Sequence, residues 1–214
     1  MRITAIQKQR REGRINLYLD GRFALGLTLD AIAAAGLRVG DEIDDDTLRS
    51  LRHDAAGADA MAAAMRLLSY RPRSEVELRQ RLARRGTPAD LVDGAISRLR
   101  ELGLVDDTAF ARTWVESRSR LSPRSRRLLR RELQAKGIDG EAAREALGPL
   151  DDEDAALRAG ERRAAAMREL PYPEFRRRLG EFLRRRGFDA ATVLRTVERL
   201  WQDGGGSDLT NRGC

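Results

Sequence analysis

The sequence predicts a mostly α-helical protein, with tandem three-helix repeats in an elongated, curved array that follows a small β-rich N-terminal module. Two observations predict this fold. Apolar and helix-breaking residues recur with a period of about fifty residues over much of the chain, and periods of this size are typical of tandem helical units. Before residue 46 the apolar residues instead alternate with polar ones, as they do in strands.

Residues 1–46 are predicted to form the β-rich module. Leu17 and Leu19 alternate with polar neighbours, and Asp20-Gly21 follows directly. An Asp-Gly pair between alternating segments is a hairpin signal, because glycine accepts the positive φ of a tight turn. We expect three short strands, a small helix over 30–35 and a fourth strand over 38–43.

An acidic run over 41–46 closes the module. We interpret it as a solvated helix start and linker. A metal site is the minor alternative, since carboxylates alone do not define a cage for a cation.

Three later segments share one spacing of proline, leucine and glycine. The matched sets are Pro72, Leu78, Leu82 and Gly86; Pro123, Leu129, Leu133 and Gly137; and Pro173, Leu179, Leu183 and Gly187. The spacing predicts a helical lead-in over 47–72, repeats over 73–122 and 123–172, and a third repeat over 173–202 that lacks its last helix. Residues 203–214, with three consecutive glycines, are predicted to form a disordered tail.

Local signals place the helix ends and the aromatic residues. Ser74 with Glu77 three residues later is a capping box, and Gly86 supplies the left-handed residue that ends helices. Phe110 and Trp114 lie on one helical face, which favours packing in the core over stacking on nucleic acid. We expect the same of Tyr70.

Composition excludes several classes of protein. The only cysteine is Cys214, which cannot form an internal disulfide, so a cytoplasmic protein is expected. No apolar run has the length of a membrane span, and the absence of heptads favours a monomer over a coiled-coil oligomer. With His53 as the sole histidine and no phosphate-binding loop, we expect no enzymatic activity, no metal and no cofactor.

Arginine is the residue type that remains to explain. Nine basic residues lie between Arg112 and Lys136, against Glu116 and Glu132. On one continuous helix Arg120, Arg124, Arg127 and Arg131, here called the arginine stripe, would share a face. The predicted partner or nucleic-acid contacts are Arg120, Arg124, Arg127, Arg130, Arg131 and Lys136, with Arg177, Arg178, Arg184 and Arg185 on the matching helix of the third repeat.

Two interpretations of these arginines stay open. The first is a solvated face whose side-chain stems cover apolar surface. The second is an anionic partner, because guanidinium groups pair bidentately with phosphates and carboxylates, and a face with so few acidic neighbours repels itself.

Three segments resemble the RecX regulators of bacterial recombination. They are SYRPRSEVEL at 69–78, GLVDDTAFA at 103–111 and the end of RSRRLLRRELQAKGID, at 130–137. The resemblance extends from about residue 61 to 201. It implies tandem three-helix units and a protein that modulates RecA, mainly as an inhibitor, in recombination, DNA repair and the SOS response.

The resemblance also implies partners. These are the RecA filament, single-stranded DNA and, as a further candidate, double-stranded DNA, with the arginine stripe facing RecA or the DNA in the filament. No membrane is expected as a partner. Two alternatives remain: a stand-alone DNA-binding protein made of helix-turn-helix-like units, and a scaffold whose arginines meet an acidic protein.

Overall fold

The computed structural model describes residues 1–9 and 13–204 of this chain. In these residues the elements are β1 (Ile3–Lys8), β2 (Arg14–Leu19), β3 (Arg22–Thr28), α1 (Leu29–Ala34), α2 (Asp45–Tyr70), α3 (Glu75–Ala83), α4 (Ala89–Glu101), α5 (Asp107–Leu121), α6 (Arg126–Ala135), α7 (Gly140–Leu147), α8 (Asp152–Ala165), α9 (Tyr172–Arg185) and α10 (Ala190–Asp203). The mostly helical fold with a small N-terminal sheet is therefore confirmed. The chain divides into two compact units, Met1–Val105 and a second that begins at Asp106.

The N-terminal module is an antiparallel sheet in the order β1-β2-β3. Asp20 and Gly21 join β2 to β3 with φ of 48° and 81°, the positive values that two-residue hairpins use. Leu17 pairs with Leu25 across the hairpin, and both side chains are buried. The predicted hairpin is confirmed, and its alternation arises because one face of the sheet covers the core.

The fourth strand expected over 38–43 does not form. Among the described residues this segment contributes a single isolated bridge between Arg2 and Glu42. Gly40 has φ of 101°, which takes the backbone out of the extended region. Backbone hydrogen bonds to the first residues of the chain hold the segment instead, such as the one that Ile3 N donates to Asp41 O at 2.9 Å.

Helix α2 is shared by two hydrophobic cores. Its first half contributes Leu48 and Leu51 to the core beneath the sheet, whereas Ala63 and Ala64 in its second half pack against α3 and α4. The helix starts where Asp44 accepts a hydrogen bond from Thr47 N at 2.7 Å, so one acidic residue of the run over 41–46 is a helix cap.

The helices pack in three bundles that differ in phase from the predicted repeats. The first bundle is the second half of α2 with α3 and α4, the second is α5, α6 and α7, and the third is α8, α9 and α10. Each bundle thus begins one helix earlier than expected, and the third is complete. A period in sequence can be cut at any phase, and only the packing of side chains shows which helices share a core.

The repeated residues occupy equivalent places in the three bundles. The leucines at 78, 129 and 179 and those at 82, 133 and 183 are fully buried. Gly86, Gly137 and Gly187 follow with φ of 80°, 79° and 91°, the left-handed conformation of a helix end. Ser74 Oγ accepts a hydrogen bond from Glu77 N at 3.2 Å, as the capping motif predicts.

Two other predictions had different outcomes. Tyr70 is 79% exposed at the end of α2, so its predicted place in the core is wrong, whereas Phe110 is buried and its ring stacks on that of Trp114 at 5.9 Å. Helix α10 extends to Asp203, within the segment predicted as a tail. Gly204 caps this helix, and residues 205–214 of the predicted tail lie outside the described residues.

Candidate functional site

Helix α6 carries the basic segment that the sequence singles out. Leu129 and Leu133 are fully buried and fix the helix in the second bundle. Arg127, Arg130 and Arg131 are exposed on the remaining surface. Arg130 and Arg131 form no ion pair with any described residue, so two positive charges of α6 are available to an outside partner.

The arginine stripe is not a continuous helical face. Helix α5 ends at Leu121, and α6 begins at Arg126, with Ser125 Oγ accepting a hydrogen bond from Leu128 N at 3.2 Å. Arg120 therefore belongs to α5 and Arg124 to the connection. The prediction extended helical periodicity across four residues, including Pro123, that are not helical.

Arg124 is engaged inside the second bundle. It forms an ion pair with Glu132, whose carboxylate also accepts hydrogen bonds from Trp114 Nε1 at 2.9 Å and from Arg118 Nε at 3.0 Å. The Lys136 ammonium lies over the Trp114 ring at 5.1 Å. Arg124 and Lys136 thus stabilise the packing of α5 against α6.

Arg127 reaches the third bundle, where its Nη2 donates to Gly187 O at 3.3 Å. At the same joint Ser125 N donates to Arg186 O at 3.0 Å. The Arg186 guanidinium donates to Ser122 Oγ at 3.0 Å and to Pro123 O at 2.9 Å. The α5–α6 connection is therefore bonded to the end of α9.

The predicted arginines of α9 are all exposed. Arg177 pairs with Glu181 at 3.1 Å and Arg178 with Glu174 at 2.5 Å, one helical turn away in each case. Exposed pairs of this kind contribute little to stability. Arg184 and Arg185, in the last turn, form no ion pair with a described residue.

The structure also forms a groove that the sequence did not predict. It lies between the end of α5, α8 and α9, within the second compact unit, and encloses about 670 Å³. Six arginines line this arginine groove: Arg120, Arg158, Arg162, Arg163, Arg178 and Arg186. Its apolar lining includes Leu121, Met167 and Phe182, and none of the described residues that line it is acidic.

Positive charge accumulates in the arginine groove. Burial, and then the neighbouring positive charges of Arg124 and Arg163, lower the pKa of the Arg186 guanidinium below its usual range. Arg186 also lies over the Phe182 ring at 4.5 Å, and Arg163 lies over it at 5.1 Å. An anion in the groove would relieve this mutual repulsion.

Only Arg120 and Arg178 of the groove were among the predicted contacts. Arg158 and Arg162 are four residues apart on α8, a spacing that places both on one face and that could have drawn attention to them. The sequence does not indicate that this face meets α5 and α9.

Other chemistry has little support in the described residues. No group of three or more His, Cys, Asp or Glu side chains there could hold a metal ion. No described helix combines the length and the hydropathy that crossing a bilayer requires.

Comparison with known proteins gives a consistent result along the chain. Residues 1–44 match the model of the N-terminal domain of regulatory protein RecX, and residues 60–99, 106–147 and 151–197 match the first, second and third three-helix domains of RecX. The three helical matches have the phase of the bundles in the structure.

Curated relatives match over most of their length, and each is named regulatory protein RecX. The Thermobifida fusca protein is 38% identical over 69% of this chain and 82% of its own length. The protein from Chlorobium limicola is 36% identical over 71% and 95%, and that from Lactobacillus gasseri is 30% identical over 92% and 74%.

Two solved structures share the fold. A crystal structure of regulatory protein RecX aligns with a TM-score of 0.71 and 24% identity, over 92% of this chain and 98% of that one. The crystal structure of RecX from Lactobacillus salivarius aligns with a TM-score of 0.58 and 22% identity, over 68% and 96%.

Proposed function

This chain belongs to the RecX family of regulatory proteins, and from that premise we propose that it binds the RecA filament on single-stranded DNA and modulates it. The main effect is inhibition of strand exchange and of ATP hydrolysis. In this proposal the protein acts as a non-enzymatic monomer in the cytoplasm and needs no cofactor.

The observation that carries this proposal is the unpaired positive charge on α6. Arg130 and Arg131 are exposed and form no ion pair with a described residue, although the same bundle pairs Arg118 and Arg124 with Glu132. A merely soluble surface usually intersperses both signs of charge. An exposed cluster of one sign favours an anionic partner such as the nucleoprotein filament.

Helix α6 also has the rigidity that a binding surface needs. Its leucines are fully buried, Ser125 caps its first turn, and Arg127 ties it to the third bundle. Because the backbone is fixed before binding, docking orders only the tips of the arginine side chains, which reduces its entropic cost.

Stand-alone DNA binding is the second candidate, and the arginine groove favours it, because the groove offers cationic side chains without any contribution from RecA. Binding to an acidic protein remains the third interpretation. The three candidates differ in whether RecA, nucleic acid or neither is required.

The test is RecA-driven ATP hydrolysis on single-stranded DNA with the wild type and with Arg130→Glu/Arg131→Glu. We expect the wild type to slow hydrolysis at substoichiometric ratios, and the variant to need about tenfold more protein, because two favourable charges become repulsive. Arg52→Glu/Arg66→Glu, which reverses two exposed charges on α2, is the matched control and should inhibit like the wild type.

No inhibition by the wild type at an equal ratio to RecA would contradict the proposed function. Equal inhibition by wild type and Arg130→Glu/Arg131→Glu would remove α6 from the interface. Binding to an acidic protein, with no salt-sensitive affinity for nucleic acid or for the filament, would favour the scaffold interpretation.

A further inference from the structure

We propose that the arginine groove is a binding site for single-stranded nucleic acid, which it takes in preference to duplex. Phosphates pair with the groove's arginines and bases lie against its apolar lining. This inference deepens the proposed function by giving the chain a contact with nucleic acid that is separate from the α6 surface, and it is tested without RecA.

The charge of the groove is the first argument. Arg120, Arg162 and Arg163 form no ion pair with a described residue, and Arg186 is bonded only to uncharged oxygens in the described residues. The carboxylates that meet groove arginines are Asp154 with Arg158, at 2.9 Å, and Glu174 with Arg178. Four positive charges are therefore left for a ligand with several negative charges.

The type of basic residue in the groove limits the class of ligand that can bind there. Every basic residue of the groove is arginine, whose planar guanidinium donates two parallel hydrogen bonds to a phosphate or carboxylate and also stacks on flat rings. Arg163 and Arg186 already lie over the ring of Phe182. A guanidinium held in this way presents a flat cationic surface to a nucleobase.

The apolar lining distinguishes a single strand from a duplex. Leu121 is 74% exposed beside the basic side chains, and Phe182 and Met167 continue the same lining. A single strand has unstacked bases that can cover such a surface. In a duplex the bases are paired and stacked inside, and the phosphate exterior offers nothing apolar to match it.

The groove is formed before any ligand arrives. The Arg186 side chain holds Ser122 and Pro123 at distances of 3.0 and 2.9 Å. Arg158 Nη1 donates to Ser119 O at 3.3 Å on the opposite wall. These bonds set α5, α8 and α9 around the groove, so binding does not have to bring the walls together.

The experiment measures the fluorescence anisotropy of a labelled oligothymidylate with the purified protein in a salt series. We expect the logarithm of the binding constant to fall with the logarithm of salt concentration with a slope between about −3 and −4, as four to six phosphate contacts on a single strand predict. A duplex of equal length should bind more weakly at every salt concentration.

The decisive variant is Arg162→Ala/Arg163→Ala, because neither residue forms an ion pair with a described residue. We expect at least a tenfold loss of affinity for oligothymidylate and a salt slope that is shallower by about 1.4, the share of two phosphate contacts. The matched control, Arg52→Ala/Arg66→Ala, removes two exposed arginines from α2 and should leave both quantities unchanged. Circular dichroism spectra check that the helix content of each variant is intact.

A second variant tests the apolar lining. Phe182→Leu keeps an apolar side chain in the half-buried position but removes the ring. It should weaken single-strand binding by about fivefold or more, because the ring that supports the two guanidinium groups against a base is lost, with the salt slope unchanged. Wild-type affinity in this variant would overturn the part of the proposal that concerns bases.

Competitors identify the ligand chemistry. The first competitor is tripolyphosphate, compared with unlabelled oligothymidylate at equal phosphate concentration. If tripolyphosphate displaces the labelled oligonucleotide at the lower concentration, the proposal is overturned in favour of a compact free polyphosphate. Stronger competition by a polyglutamate peptide would overturn it in favour of an acidic protein segment. Equal or tighter binding of duplex, or unchanged binding by Arg162→Ala/Arg163→Ala, would also overturn it.

The outcomes separate this inference from the proposed function. If the groove variant loses single-strand binding while the wild type does not slow RecA, the groove stands and the proposed function fails. If the wild type slows RecA while Arg162→Ala/Arg163→Ala binds oligothymidylate as tightly as the wild type, the proposed function stands and the inference about the groove fails.

Discussion

At the scale of single residues, the structure divides the arginines into two roles. Arg118 and Arg124 meet at Glu132, which is only 15% exposed and also bonds Trp114. Arg130 and Arg131 lie within one turn of Glu132 on the same helix. Neither forms an ion pair with a described residue. Charge reversal of Arg124 would therefore destabilise the bundle and would not test binding. Charge reversal of Arg130 and Arg131 changes only the exposed surface and so tests whether α6 contacts a partner.

Replacement of Glu132 tests the structural role. We expect Glu132→Gln to lower the free energy of unfolding by about 1–3 kcal/mol, because two largely shielded guanidinium groups lose their counter-charge. Urea unfolding followed by tryptophan fluorescence measures it. Glu116→Gln, the same change at an exposed site of α5, should stay within about 0.5 kcal/mol of the wild type, and an equal loss in both variants would refute this role.

At the scale of elements, the recurring glycine has a different environment in different bundles. Gly86 and Gly187 both have positive φ. A Cβ on Gly86 would meet open space, whereas a Cβ on Gly187 would lie 2.5 Å from Ser125 Oγ and 2.7 Å from Leu128 Cβ. The end of α9 thus needs glycine for its conformation and also for the close approach of the second bundle.

Alanine at the two glycines separates these requirements. Gly86→Ala should cost about 1–2 kcal/mol of unfolding free energy, the strain of a left-handed alanine. Gly187→Ala should cost clearly more, because the joint between the second and third bundles must also move apart. Urea midpoints of the two variants give the comparison, and equal losses would show that the joint yields without cost.

At the scale of the whole molecule, α2 joins the β-rich module to the first bundle. Leu48 and Leu51 lie in one core, Ala63 and Ala64 in the other, and Gly57 lies in the helix between them. A continuous helix that is buried at both ends makes the loss of one core costly for the other, since helix formation is cooperative.

A break in α2 should uncouple the two cores. Proline within a helix removes a backbone hydrogen bond and clashes with the preceding turn. In native-state hydrogen exchange we expect the amides of β2 and α3 to share one opening free energy in the wild type and to differ in Gly57→Pro. Gly94→Pro, in α4, leaves α2 continuous and should lower the protection of β2 and of the first bundle together. Separate opening free energies already in the wild type would contradict the coupling.

The sequence alone determined the features that depend on short-range order. Local backbone preferences predict the hairpin at Asp20-Gly21 and the Ser74 cap, and periodicity predicts the buried leucines that recur in the three bundles. Both signals lie in neighbouring residues of the sequence. Family membership was also evident from short motifs such as GLVDDTAFA.

Only the tertiary structure decided which helices share a core and which arginines share a surface. Three features depend on residues that are apart along the chain. They are the phase of the bundles, the pairing of Arg124 with Glu132, and the groove that Arg120, Arg162 and Arg186 line together. Such contacts depend on how whole helices pack against one another, and a fifty-residue period is compatible with more than one way of packing them.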